Sequence, residues 1–181
     1  MPSAAIDTAL WGESYGIEAR AQLCYDEDAI YVRLSAKEKE IRAENKDPLQ
    51  EPCEDSCLEF FFRPEEDDPR YLNVEFNPNG LLFLGIGTGI PDLVRLMPLE
   101  NDPFGRKITR NGNGWTITYQ IPHAFIRRLF PRYTAHSGKK IYGNFYKCGD
   151  KTVHPHYLAW SPVTEGKTFH RPADFGELKF E

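Results

Sequence analysis

Residues 56–63 read Ser-Cys-Leu-Glu-Phe-Phe-Phe-Arg, and residues 71–77 read Tyr-Leu-Asn-Val-Glu-Phe-Asn. Successive side chains of an extended strand point to opposite faces of its sheet. One face therefore carries apolar residues: Leu58, Phe60, Phe62, Leu72, Val74 and Phe76. The other face carries mostly polar ones: Cys57, Glu59, Phe61, Asn73, Glu75 and Asn77. This alternation predicts two strands with Leu58, Phe60, Val74 and Phe76 buried between two sheets.

Similar strand patterns, separated by turn residues, continue along the whole chain. They predict strands at residues 17–25, 29–34, 81–87, 115–121, 140–148, 157–160 and 177–180. Helical patterns are few: residues 122–130 begin with a proline in the first turn, and the charged segment 37–45 is better explained as a loop. We therefore predict an all-β protein, an antiparallel β-sandwich with one or two short helices, forming a single domain over residues 1–181.

The charge balance excludes several classes of partner. The chain has 22 basic and 27 acidic residues, for a net charge of −5, and no basic stripe that could bind phosphates. We expect no nucleic-acid partner and no membrane partner, since no stretch is long and apolar enough to span a bilayer. The N-terminal residues lack the features of a signal peptide, which predicts a cytoplasmic protein. A chain from which a leader had been removed would instead be secreted. The oligomeric state stays open.

The cysteines do not suggest a disulfide framework. Cys24, Cys53, Cys57 and Cys148 are few and scattered. Cys53 and Cys57 would lie about 13 Å apart in an extended strand, beyond the reach of a disulfide. We predict four free thiols that act as small buried apolar side chains.

Candidate metal ligands are similarly sparse. His154 and His156 have i, i+2 spacing and His170 follows, but no cysteine pair completes a zinc site there. The acidic run at residues 65–68 does not have the spacing of a calcium-binding EF-hand. From the residue patterns we predict no metal ligands and no cofactor.

Two alternatives to a simple binding protein remain. Glu59 and Glu75 lie on the polar faces of neighbouring strands, and a glycoside hydrolase needs two such carboxylates about 5–10 Å apart. Orientation of a ligand explains them better, because alternation alone often produces outward carboxylates. The second alternative is a haem-binding sandwich that uses Met and His as ligands, for which Met97 is the one internal methionine.

The C-terminal third contains the mixture of side chains that sugars require. A sugar offers apolar C–H faces and a rim of hydroxyls, so its binder combines an aromatic platform with polar groups. Such residues are Asn144, Tyr146, Lys147, Asp150, Tyr157, Trp160, Phe169 and His170. Trp160 lies in a short apolar strand and is better explained as a core residue. Phe169 lies in a predicted loop and is the better candidate for an exposed platform.

Six blocks of sequence together resemble the family 9 carbohydrate-binding modules, in particular their stand-alone branch within the DOMON-like β-sandwich superfamily. These blocks are residues 52–62, 71–77, 115–122, 143–150, 158–162 and 169–178. The resemblance implies a non-catalytic β-sandwich that binds the ends of plant polysaccharides or small sugars, such as those of xylan or cellulose, and it allows for structural calcium.

In xylanase-linked members of that family, two tryptophans clamp a terminal sugar. The resemblance places Glu59 at the sugar-binding carboxylate and Asn73 at a basic contact residue. It places Tyr146 and Asp150 on or beside polar contact positions, and Phe169 at the second clamp tryptophan. We therefore predict one set of carbohydrate-binding residues: Glu59, Asn73, Tyr146, Asp150, Phe169 and His170.

The chain departs from the family pattern at Cys53, which stands where the first clamp tryptophan would be. A cysteine removes one stacking face, so the two-sided clamp cannot form in the usual way. Three explanations remain: weak binding, a different ligand, or an aromatic such as Tyr71 or Tyr157 that takes the missing place.

Overall fold

A computed structural model describes residues 2–97 and 102–181. Its strands, in chain order, are β1 (Ala4–Ala5), β2 (Thr8–Ala9), β3 (Glu18–Tyr25), β4 (Ala29–Lys37), β5 (Cys57–Arg63), β6 (Tyr71–Phe76), β7 (Leu82–Gly87), β8 (Val94–Arg95), β9 (Lys107–Asn111), β10 (Gly114–Pro122), β11 (Lys140–Cys148), β12 (Tyr157–Ala159) and β13 (Gly176–Lys179). Short 3-10 turns lie at Pro52–Glu54, Ile90–Asp92 and Pro172–Asp174, and the α-helix α1 spans His123–Leu129.

The strands form two sheets. The smaller sheet has the strand order β1-β3-β4-β10-β9. The larger sheet has the order β2-β12-β11-β5-β6-β7-β8, and β13 also pairs with β11. All pairings among the described residues are antiparallel. The centre of the larger sheet is therefore β11-β5-β6, which joins the C-terminal third of the chain to its middle.

The apolar core lies between the two sheets, and the predicted register is confirmed. Leu58, Phe60 and Phe76 are fully buried, and Val74 is 1% exposed. They pack in one cluster with residues of the smaller sheet: Val32, Leu34, Ala36, Trp115, Ile117, Tyr119 and Ile121. Contact between the inner faces of two antiparallel sheets confirms the β-sandwich.

The opposite, outer face of the larger sheet is also buried. A second cluster lies there, consisting of Cys57, Phe61, Tyr71, Tyr146, Cys148, Ala159, Phe169 and Phe175, with half-buried Leu10, Trp11, Cys53, Leu93, Tyr157 and Val163 packed against it. Alternation alone led us to expect this face at the solvent. The loops of residues 10–11, 53 and 163–175 cover it instead.

The elements follow the sequence patterns closely, with a few differences. The predicted helix at residues 122–130 is α1, and residues 38–45 form a loop as expected. The strand β9 was not predicted: its side chains are mostly exposed, and pairing with β10 across the turn at residues 111–114 defines it. No helix in the described parts of the chain is long and apolar enough to span a membrane.

Candidate functional site

Two carboxylates lie side by side on the outer face of the larger sheet. Glu59 of β5 and Glu75 of β6 are directly opposite each other across the strand pair. They are 1% and 6% exposed. Burial raises the pKa of Glu59 to about 7. Burial and the neighbouring Glu59 raise the pKa of Glu75 well above its usual range. The pair is therefore poised to keep a proton at neutral pH.

Polar atoms without partners lie next to these carboxylates. Asn73 is fully buried, and neither its amide oxygen nor its amide nitrogen has a hydrogen bond of normal geometry within the described residues. The same is true of Glu75 Oε2. The Asn73 amide nevertheless lies close enough to lower the pKa of Glu75, against the larger effect of burial. Buried polar groups are nearly always satisfied, so this cluster is unusual for a structural core.

Three cysteines border the carboxylates. Cys57 and Cys148 are directly opposite across β5 and β11. The Cys148 thiol donates to Glu59 Oε1 over 2.9 Å. Burial raises the pKa of both thiols, which keeps them protonated. Cys53 is half-buried in the 3-10 turn before β5, and its carbonyl oxygen accepts from the Asp150 amide over 2.9 Å.

The four cysteines are free thiols. The expectation that all of them are buried was wrong for Cys24, which is exposed on β3. The sequence reasoning also missed the cluster of the other three. Their spacing along the chain contains no signal for it, because Cys148 meets Cys57 only through the long-range pairing of β11 with β5.

The rim of the site combines an exposed carboxylate with half-buried aromatic rings. Asp150, just after β11, is exposed, although partial burial of its carboxyl group raises its pKa. The Tyr157 hydroxyl and the Cys53 thiol approach it as donors and oppose that rise. The ring of Trp11 lies 5.0 Å from that of Tyr157 and 5.4 Å from that of Phe169. Trp11 did not enter our sequence-based site, because it is distant in sequence and follows a two-residue strand.

The prediction that Phe169 is an exposed platform was wrong. It is 8% exposed, and its ring stacks on fully buried Tyr146 with centroids 4.1 Å apart. The Tyr146 hydroxyl donates to the Phe169 carbonyl over 3.0 Å. Tyr146 therefore covers the apolar ring face of Phe169 that we expected a sugar to contact. The expectation that Glu59 lies outside the core was wrong for the same reason, since the loops cover this face.

His170 lies beside this stack and is half-buried. Its Nδ1 atom is 2.7 Å from the hydroxyl of Tyr71, and its ring contacts that of Phe61. Burial lowers the pKa of His170 to about 4, so the ring is neutral at pH 7. Tyr71 is fully buried and cannot replace the missing clamp tryptophan, whereas Tyr157 remains available.

The fold thus collects the predicted residues on one face of one sheet. Glu59 and Asn73 form its floor, Tyr146 and Phe169 form a wall, and Asp150 lies at the rim. His170 contacts the far side of the floor through Phe61 and Tyr71. The arrangement offers hydrogen-bond donors and acceptors beneath an aromatic rim, which suits a polar ligand with apolar faces.

The alternative chemistries find less support in this geometry. Burial raises the pKa of both Glu59 and Glu75, whereas a glycoside hydrolase needs two carboxylates whose environments push their pKa values in opposite directions. His156 Nε2 lies 2.7 Å from Lys147 Nζ, and His170 is engaged by Tyr71, so the three histidines do not converge on a metal. Met97 is 53% exposed, which places the methionine needed for the haem alternative at the surface.

Comparison with known proteins identifies relatives of the whole chain. Residues 1–180 match the family model described as carbohydrate-binding family 9. No curated protein matches the chain. The crystal structure of a candidate carbohydrate-binding protein from Bacteroides uniformis shares 31% identity and a TM-score of 0.84, with coverage of 100% of this chain and 87% of that one.

A family 9 module from Caldicellulosiruptor kristjanssonii, solved in complex with glucose, has a TM-score of 0.69 at 14% identity, covering 99% of this chain and 84% of that one. Its complex with cellotriose has a TM-score of 0.68 at 14% identity, covering 98% and 82%. At this level of identity the likeness concerns the fold alone.

Proposed function

The chain belongs to carbohydrate-binding family 9, and from this membership we propose that it binds the terminal sugars of plant-type oligo- or polysaccharides without cleaving them, in support of carbohydrate catabolism. The site is the outer face of the larger sheet. Glu59 and Asn73 contact the sugar from the floor, and Asp150 contacts it from the rim. Tyr146, Phe169 and His170 shape the wall and hold the floor in place.

The observation that carries this proposal is the unsatisfied polar floor. Asn73 offers one acceptor and two donors, none of which makes a hydrogen bond of normal geometry within the described residues, and Glu75 Oε2 is a further oxygen without such a bond. Sugar hydroxyls both donate and accept, so one pyranose ring can satisfy these groups together. A carboxylate such as that of Glu59 accepts hydroxyl hydrogen bonds that are stronger than those made by a neutral amide.

Trp11 and Tyr157 supply the aromatic surface that Cys53 does not. Both are half-buried, and they lie next to each other at the rim, near Phe169. A single tryptophan face provides apolar contact for one side of a sugar ring. We therefore propose a one-sided platform in place of the two-sided clamp of the family.

The floor is covered in the structure, so a ligand reaches Asn73 only when rim residues move aside. Trp11 is the rim residue best placed to do so, because it follows the two-residue strand β2 at the edge of the larger sheet. Opening the rim has a cost that reduces affinity. We expect wild-type affinities no tighter than tens of micromolar, roughly. Glucose and cellotriose, which the Caldicellulosiruptor module binds, are the first ligands to test.

Isothermal titration tests the proposal directly. Glucose, cello-oligosaccharides, xylo-oligosaccharides and a polyol are titrated into wild type and three variants. Trp11→Ala removes the platform, and we expect it to weaken binding about tenfold, or ~1.4 kcal/mol. Asn73→Ala removes the central donor and acceptor and should weaken binding at least as much. Tyr15→Ala is the matched control, because Tyr15 is an exposed aromatic that stacks on His154 and does not belong to the outer-face cluster.

The proposal fails if no sugar gives a signal at millimolar concentration. It also fails if Tyr15→Ala and Trp11→Ala weaken binding equally, since the platform would then lie elsewhere. Binding of the polyol as tightly as of the sugars would remove the case for recognition of a ring.

A further inference from the structure

A second type of ligand is suggested by two thiols that sugar binding does not use, together with the neighbouring Glu59. Cys57 and Cys148 face each other across β5 and β11, and Glu59 follows two residues after Cys57 on the same face. One ligand atom from each of these three residues lies within 4.8 Å of the other two. Two ligand atoms on one tetrahedral zinc ion are roughly 3.5–4 Å apart. The three side chains therefore need to move little to share a metal.

The surroundings of this trio supply an independent indication of a cation. Glu75, opposite Glu59, brings a second buried carboxylate whose Oε2 atom has no partner within the described residues. The amino group of Lys147 is engaged elsewhere, with Glu38 and His156. A buried carboxyl group is ordinarily either protonated, as this pair is without a metal, or paired with a cation or a metal that takes the place of the proton. In this region the described residues supply two buried carboxylates and two thiols, and no cation bonded to them.

We propose that Cys57, Cys148 and Glu59 form a binding site for one Zn2+ ion. Two sulfur ligands and one oxygen ligand on rigid strands suit zinc better than calcium or magnesium, which prefer oxygen ligands only. Binding releases the two thiol protons and any proton on Glu59 to solvent, and it forms two thiolate–zinc bonds and one carboxylate–zinc bond. The site shares Glu59 with the proposed sugar site, whereas its two thiol ligands take no part in sugar binding.

The wild-type protein provides the first test. The full chain is reduced, freed of metal with a chelator, and titrated with Co2+, which is a spectroscopic substitute for Zn2+. We expect one Co2+ per chain, with thiolate-to-cobalt charge-transfer absorption that Zn2+ abolishes by displacement. Binding of Zn2+ should also raise the melting temperature, because the ion binds only the folded chain tightly. Absence of the charge-transfer band, at one equivalent or in excess, overturns the proposal.

Variants then assign the ligands. Cys57→Ser and Cys148→Ser should each weaken Co2+ binding at least tenfold, and Glu59→Gln should weaken it less, while leaving thiolate absorption in place. Cys24→Ser is the matched control, since Cys24 is an exposed cysteine on the other sheet. This variant should bind Co2+ as tightly as wild type. Cys53→Ser should also retain binding, because three ligands suffice. Retained binding in Cys57→Ser and Cys148→Ser, or its loss in Cys24→Ser, overturns the assignment.

A measurement on the wild type covers the case in which a cysteine variant does not fold. The metal-free and zinc-loaded proteins are alkylated under mildly destabilising conditions and mapped by mass spectrometry. Zinc should protect Cys57 and Cys148 and leave Cys24 as reactive as before. Equal protection of Cys24, or none at Cys57 and Cys148, contradicts the site. Sugar titration of metal-free protein separates this outcome from the proposed function, since failure of zinc binding leaves the sugar heats unchanged.

Discussion

The two faces of β5 and β6 are equally buried and differently built. On the inner face, Phe60 stacks on Phe62 and Phe145, with centroid distances of 4.8 and 4.7 Å, within the apolar core cluster. On the outer face, Phe61 also contacts aromatic rings, but polar side chains lie beside it. Among them, the Asn73 amide and Glu75 Oε2 have no hydrogen bond of normal geometry within the described residues. Burial is thus common to both faces, whereas unsatisfied hydrogen-bonding groups distinguish the one that suits a ligand.

Two asparagines of the outer face show the same difference at smaller scale. Asn144 Oδ1 accepts from the amides of Phe145 and Ser161, and its Nδ2 donates to the Ser161 carbonyl. Asn144 therefore ties β11 to the chain after β12. Asn73, on the neighbouring part of the same sheet, makes no such bond. The Asn144 amide therefore stabilises the fold, whereas the Asn73 amide is available to bind a ligand.

The largest expected effect tests whether the outer face is a second core. Phe60→Ala and Phe61→Ala each remove a fully buried ring and should each lower the free energy of unfolding by about 3–5 kcal/mol. Val153→Ala, at a residue 70% exposed, is the control and should change it by less than about 0.5 kcal/mol. Urea denaturation measures all three. A small effect of Phe61→Ala alone would show that the outer face is open in solution.

The second prediction, with a somewhat smaller expected effect, concerns whether His170 on the outer face is shielded from water. The folded-state pKa of His170 is about 4, below its ordinary value of 6.5, so His170 stabilises the fold fully above pH 6.5. That contribution is lost as the pH falls towards 4, by up to about 3 kcal/mol. The variant His170→Gln lacks the titrating imidazole. Between pH 7 and 4, the free energy of unfolding of wild type should therefore fall more steeply than that of the variant. His136→Gln, at an exposed histidine, is the control. Parallel pH profiles of the His170 variant and wild type would mean that His170 is hydrated.

The smallest effect distinguishes the two asparagines. Asn144→Ala leaves three backbone groups without partners and should lower the free energy of unfolding by about 2 kcal/mol. Asn73→Ala removes no hydrogen bond of normal geometry and should change stability little. Thermal or urea unfolding of both variants measures the difference. If Asn73→Ala is the more destabilising of the two, its amide has a structural partner and loses its assignment to the ligand.

The inner face was predictable from sequence because period-two alternation is a local signal. It identified Leu58, Phe60, Val74 and Phe76 correctly. The predicted sugar-contact residues Tyr146 and Phe169 belong to the outer-face cluster. Burial of that face was not predictable, because distant loops decide it. Phe169 is covered by Trp11, whose position in sequence contains no indication of the contact. The Cys57–Cys148 neighbourhood depends in the same way on which strands pair.

The position of β11 has a further consequence, for the order of events during synthesis. β5 pairs with β6, which follows it closely, but its other edge pairs with β11, near the C-terminal end of the described chain. Until the ribosome has released residues 140–148, that edge has unpaired backbone groups and an apolar face without its full cover. Unpaired edges of this kind attract other chains. Folding is therefore slow relative to helical proteins, since closing so long a loop precedes the contacts that stabilise it.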